Sequence, residues 1–129
     1  MKIDSINNVK YKIFKDLNYA VIYLPQKYCI ASWGSTLDLV RNKILDSLEY
    51  IILDFSNVIE VDDCGLESLI FRKEFIENGG RDILHVNVPN VLRNTWNILD
   101  TKKELSVISE FKTMLDAANF INVEHKKSV

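Results

Sequence analysis

Asp54, Asp62, Asp63 and Cys64 are the side chains whose types and spacing could do chemistry in this chain. Asp54 ends the apolar run Tyr50-Ile51-Ile52-Leu53, and the other three stand together just ahead of Gly65 and Leu66. Carboxylates gathered where a strand ends could hold a hard cation such as Mg²⁺ through oxygen. A thiol at a helix start could have a lowered pKa and react as the thiolate. More often a cysteine there is a small packing residue, and Cys29 reads the same way. The plainest role for Asp62 and Asp63 is local, an N-cap followed by negative charge near the positive helix end, together worth about 1–2 kcal/mol. His85 lies inside an apolar strand and reads as a core or edge residue rather than a ligand. No nucleophile–base pair, metal-ligand spacing or phosphate-cradling glycine loop is visible, so no catalytic residue, metal or cofactor is expected.

Strands and helices must position these residues. Tyr50 to Asp54 has strand length and is apolar throughout, as a strand covered on both faces should be. Val9 to Phe14 and Tyr19 to Leu24, joined by Lys15-Asp16-Leu17-Asn18, predict a hairpin. Ser32 or Ser35 can cap a helix carrying Leu37, Val40, Ile44 and Leu48. A second helix is expected from about Cys64 to Asn78, closed by Gly79-Gly80 in the left-handed conformation that helix ends favour. Ile83 to Val86 follows as a strand, and Pro89 fits the first turn of a helix carrying Leu92, Trp96 and Leu99. Leu105 to Ile108 reads as the last strand, and Phe111, Leu115 and Ala118 suggest a closing helix. Alternating strands and helices imply an α/β fold with a mixed, mostly parallel sheet opening with a β-hairpin, and about four helices.

Four segments, in order, carry a family resemblance. Leu53-Asp54-Phe55-Ser56-Asn57-Val58 and Asp62-Asp63-Cys64-Gly65-Leu66 are similar to the strand, connector and helix start of a STAS domain, the fold of bacterial anti-sigma-factor antagonists. Glu77-Asn78-Gly79-Gly80-Arg81 resembles that family's helix-ending Gly-Gly, and Val88-Pro89-Asn90-Val91 its Ser-Pro-x-Val helix opening. Ala20 to Leu24 with Pro25-Gln26-Lys27-Tyr28-Cys29 stands where the family has its Leu-x-Gly-x-Leu-Asp segment. The resemblance covers roughly Lys10 to Phe120 and implies a single STAS-like domain over residues 1–121, leaving 122–129 as a flexible basic tail.

Departures from the family pattern bear on function. Where the family carries its phosphorylatable serine, this chain has Asp63, and the next serine of the pattern is Cys64. An aspartate cannot take phosphate from a serine kinase, so serine-based switching is expected to be absent there. Asp63 would instead give a partner-binding surface a fixed charge, weaker than the −1.5 to −2 of a phosphoserine. A Mg²⁺ pocket of the response-regulator receiver type would further need two acidic residues after the first strand and a lysine after the last. Only Lys15-Asp16, inside a hairpin turn, follows the first strand. On the second helix, Leu66, Leu69, Ile70 and Ile76 share a stripe that can cover the sheet, which leaves Phe71 and Phe75 on another face beside Glu67 and Glu74. Asp62, Asp63, Cys64, Glu67, Phe71 and Phe75 are therefore the expected partner-binding residues, with Trp33 joining the patch. The competing outcome is that the last helix covers both rings.

Composition narrows the class. With 129 residues, 47% hydrophobic and 26% charged, the chain can bury one ordinary core. A net charge of −2 argues against general nucleic-acid binding. No apolar run is long enough for a membrane span, the start lacks a signal peptide's apolar core, and two cysteines with two histidines fit a reduced, cytoplasmic, metal-free protein. The Lys102-Lys103 and Lys126-Lys127 pairs read as solvated. The resemblance implies a non-catalytic regulatory module, docking an anti-sigma factor or kinase-like regulatory protein, with a second copy of the chain as another candidate partner. The alternative is a structural STAS subunit of a transporter or larger signalling assembly.

Overall fold

The computed structural model describes residues 4–6, 9–28, 47–61, 67–99 and 109–127. A six-stranded sheet forms the centre, in the order β1 (Asp4–Ile6), β2 (Val9–Phe14), β3 (Tyr19–Tyr23), β5 (Tyr50–Asp54), β7 (Asp82–Val86), β8 (Ser109–Phe111). The first three strands pair antiparallel, and β3, β5, β7 and β8 run parallel. A two-stranded parallel pair, β4 (Lys27–Tyr28) with β6 (Glu60–Val61), lies apart from it. Three α-helices occur among the described residues, α1 (Glu67–Glu77), α2 (Asn90–Leu99) and α3 (Met114–Lys127). The helix expected after Ser32 or Ser35 lies outside the described residues apart from Leu48, which is not helical and is buried in the core.

The hairpin forms where turn chemistry places it. Lys15–Leu17 makes one 3₁₀ turn, and Asn18, at φ 55°, takes the left-handed conformation that asparagine tolerates. Its carbonyl then accepts the backbone N–H groups of Glu49 and Tyr50, which sets β5 beside β3 in the register Tyr19 to Tyr50. The rings of Phe14 and Tyr19, paired across the hairpin end, stack at 4.6 Å. β1 went unforeseen, since three residues hold no periodicity to read.

Alternation along the parallel strands divides the core into two layers. On one face Ala20, Ile22, Ile51, Leu53 and Ile83 pack with Phe71 and Phe75 of α1 and Leu92 of α2. On the other, Val21, Ile52, Leu84 and Val86 pack with Ala117 and Ile121 of α3. Every residue of β5 is buried, which explains its unbroken apolar run.

Helix ends follow recognisable chemistry. Gly79 adopts φ +100°, its N–H donates to the Ile76 carbonyl, and the Gly80 N–H donates to Phe75, the bond pattern of a Schellman cap. Gly80 must also be glycine because a Cβ there would collide with the Phe75 ring. Pro89 precedes Asn90, and its carbonyl accepts the N–H groups of Leu92 and Arg93. Trp96 and Leu99 belong to α2, their side chains lying outside the described set.

Two boundaries differ from the sequence expectation. Phe111 belongs to β8 rather than to the closing helix, which begins only after Thr113, whose Oγ1 accepts the Asp116 N–H at 3.1 Å as an N-cap. The strand expected at Leu105 to Ile108 lies outside the described residues, and β8 starts at Ser109. The segment expected as a flexible tail from Asn122 is helical as far as Lys127. His125, Lys126 and Lys127 form the last turn of α3, where positive charge is favoured by the helix dipole. The buried stripe of that helix is Ala117 and Ile121, whereas Leu115 is 69% exposed.

Candidate partner-binding face

α1 holds the described part of the expected site. Asp62, Asp63 and Cys64 lie outside the described residues, as do Cys29 and Trp33. Glu67 is the first residue of α1, with its side chain outside the described set.

Phe71 and Phe75 are core residues, contrary to the expectation of a binding patch. Their exposures are 0% and 3%, and both pack into the layer formed by Ile51, Leu53 and Ile83. The sheet of the same chain covers them, rather than the last helix. Ser68, Phe71 and Phe75 stand at i, i+3 and i+7 and form the inward stripe, so the helix is turned about half a revolution from the expected orientation. Both stripes of the helix are apolar, and the packing of Phe71 and Phe75 against Ile51, Leu53 and Ile83 decides between them. Ile70 and Ile76 face outward instead, at 51% and 37% exposure, beside the exposed Lys73 and Glu77. Phe71 and Phe75 are accordingly withdrawn as contact residues. Of the side chains described on α1, Ile70 and Ile76 are the ones sequence reasoning missed, and helical spacing alone carried no signal that they face outward.

Buried Ser68 exposes 0% of its surface, and its hydroxyl has no hydrogen-bond partner among the described residues. A kinase cannot reach it in the folded chain. Ser56, in the turn after β5, is exposed. Its N–H donates to Asp54 Oδ1 at 2.9 Å, and Asn87 Nδ2 donates to the same oxygen at 3.2 Å. Asp54 is thus a buried carboxylate that ties the exits of β5 and β7 together. Further bonds fix the same end of the sheet: Leu24 N–H to the Asp54 carbonyl, and Phe55 N–H to that of Val86. Burial, then the nearby Asp54 charge, pushes the Tyr23 hydroxyl above its ordinary pKa.

The bottom of α1 is anchored by charge. Arg72 Nε donates to Asp82 Oδ1 at 2.9 Å, an oxygen that also accepts the Ile83 N–H, while Ser109 Oγ lies 3.3 Å from Oδ2. His85, central in β7, is fully buried, with its ring stacked on Phe55 at 5.4 Å. Burial pushes its pKa down to about 3, so it stays neutral under ordinary conditions. Among the described residues no group of three His, Cys, Asp or Glu side chains could hold a metal ion, and no helix is long and apolar enough to cross a membrane.

A mixed sheet opening with an antiparallel hairpin, a Gly-Gly-closed helix on one face and an aspartate ending the central strand define an α/β domain architecture. The STAS domain family model matches residues 8–118, and the chain belongs to that family. No curated protein matches the chain. Among solved structures it is similar to a Thermotoga maritima protein provisionally assigned as an anti-sigma factor antagonist, with a TM-score of 0.65, 18% identity, and coverage of 90% of this chain and 96% of that one. It is also similar to the murine solute carrier 26 family member A9 anion transporter in its inward-facing state, with a TM-score of 0.64 and 18% identity over 82% of this chain. The chain spans 18% of that transporter's length.

Proposed function

We propose that this chain is a non-catalytic regulatory module of the anti-sigma-factor-antagonist type, acting in the cytoplasm by binding an anti-sigma factor or kinase-like protein in a transcriptional partner switch. The observation that carries the reading is the outward face of α1, where Ile70 and Ile76 stay exposed on a helix already seated on the sheet by Phe71 and Phe75. Exposed isoleucines flanked by charge supply the apolar centre and polar rim of a protein contact. Asp62, Asp63, Cys64 and Glu67 precede and begin this helix and would form the acidic end of the same surface. With Asp63 where the family's serine stands, that charge is permanent rather than switched by phosphate. Similarity to the Thermotoga maritima protein, matched over 96% of its solved chain, supports this reading. Similarity to the transporter supports a second one, a STAS subunit of a larger membrane or signalling assembly, in which Asp63 is architectural.

Affinity capture with the wild-type chain, Ile70→Asp and Asp63→Ser, read by mass spectrometry, tests both. An anti-sigma or kinase-like protein held by wild type and lost with Ile70→Asp is the expected result. Capture of a permease or assembly component would favour the second reading, and a partner retained equally by all three chains would remove this face from the interface.

A further inference from the structure

A second site lies away from the α1 face, at the carboxyl ends of β7 and β8. The chain leaving β7 turns onto one face of the sheet as α2, where Leu92 joins Ile83 and Phe71. The chain leaving the neighbouring β8 turns onto the opposite face as α3, where Ala117 and Ile121 join Ile52 and Leu84. Adjacent parallel strands whose exits part in this way leave a crevice beyond their ends, the place where open α/β sheets bind ligands. A cleft of about 540 Å³ occupies that position, a volume suited to a small molecule. Among the described residues it is lined by Asn87, Val88, Arg93, Glu110, Phe111 and Lys112.

Chemistry of the lining selects the ligand. Buried Val88 and partly buried Phe111 supply an apolar wall. Arg93 and Lys112 outweigh Glu110 by one positive charge. The Arg93 guanidinium is held in place, Nη1 donating to Asn90 Oδ1 at 2.8 Å and Nη2 to Glu110, so a planar cation is oriented before any ligand arrives. We propose that this cleft binds a small organic anion, an apolar or planar body bearing one carboxylate or phosphate, with the body against Phe111 and Val88 and the anionic group between Arg93 and Lys112. The assignment is independent of the partner-binding reading, because it uses none of the α1 surface.

Titration of the ¹⁵N-labelled full chain with phenyl phosphate, benzoate, inorganic phosphate and benzyl alcohol tests it. At least one aromatic anion should give saturable amide shifts at Val88, Arg93, Glu110, Phe111 and Lys112, and comparing the first two probes distinguishes phosphate from carboxylate. Inorganic phosphate and benzyl alcohol should each bind at least about tenfold more weakly, as should the aromatic anion to Arg93→Ala and to Lys112→Ala, the loss of one charge-assisted contact. Lys112 is exposed, so its truncation leaves folding intact and decides the matter even if Arg93→Ala unfolds. Absence of saturable shifts with both aromatic anions, benzyl alcohol binding equally well, inorganic phosphate binding equally well, or unchanged affinity in Lys112→Ala would each overturn the proposal.

Discussion

Protonating His85 should destabilise the domain, and the cost can be worked from its position. Its ring is fully buried in β7 against Phe55, and burial holds its pKa near 3, against an ordinary value of 6.5. An unfolded chain would therefore bind a proton that the folded chain refuses anywhere between those values. In that window stability falls as pH falls, because the unfolded state carries more protons. About pH 5 lies about 1.5 units below the pKa of the unfolded imidazole, which is then protonated while the folded one is still neutral, so about 2 kcal/mol of stability is lost relative to about pH 8. The full difference, about 5 kcal/mol, is reached only near pH 3. Carboxylates titrate over part of the same range, so the assay compares wild type with His85→Leu. Urea unfolding at about pH 8 and about pH 5 should show wild type losing about 2 kcal/mol more than the variant between the two conditions. An identical pH dependence in both proteins would refute the reasoning, since it would mean that the folded chain takes up the proton at no cost.

Gly80→Ala should destabilise by about 1–3 kcal/mol, because its Cβ would overlap the buried Phe75 ring; chemical denaturation measures this. Gly79→Ala, with open space around it but φ +100°, should cost about 1–2 kcal/mol through backbone strain alone. Phe71→Ala should cost about 3–5 kcal/mol, while Ile70→Ala should stay within about 0.5 kcal/mol, a contrast that thermal melts of the two variants would check. Asp63→Ser should change stability by no more than about 1 kcal/mol yet alter partner affinity at low salt by calorimetry. Intact-mass analysis after incubation with a cognate kinase-like partner and ATP should find no phosphate on Asp63, and none on Ser68, whose hydroxyl is buried.

Much of the fold was legible because burial on two faces and turn chemistry leave local marks. Tyr50 to Asp54 announced a central strand through an unbroken apolar run, and Gly79-Gly80 announced a helix end. The orientation of α1 was not legible from spacing. Leu69, Ile70 and Ile76 lie on one side and Phe71 and Phe75 on the other, so periodicity offers two stripes and only packing against Ile51, Leu53 and Ile83 chooses between them. The start of α3 was displaced by the same kind of ambiguity: Phe111 is apolar in either a strand or a helix, and the sharper mark was Thr113 as a cap. Lys126 and Lys127 read as a loose tail because basic residues belong equally to a disordered end and to the last turn of a helix. Arg93, Glu110 and Lys112 carried no local signal, since a β-α-β connection in three dimensions is what gathers them.

Division of labour between the helices has a consequence for biosynthesis. Among the described residues, the α-helical side chains in the second apolar layer all come from α3, and every described strand of the sheet is translated before that helix. Among the described residues, Val21, Ile52, Leu84 and Val86 of a nascent chain therefore lack α-helical cover until α3 emerges. At about 5–20 residues per second that interval lasts on the order of a second or more, long enough for a sticky sheet to meet another one. An expression boundary drawn at residue 121 would keep Ala117 and Ile121 but end α3 on its last buried residue, removing the final turn with His125, Lys126 and Lys127 that closes the cover.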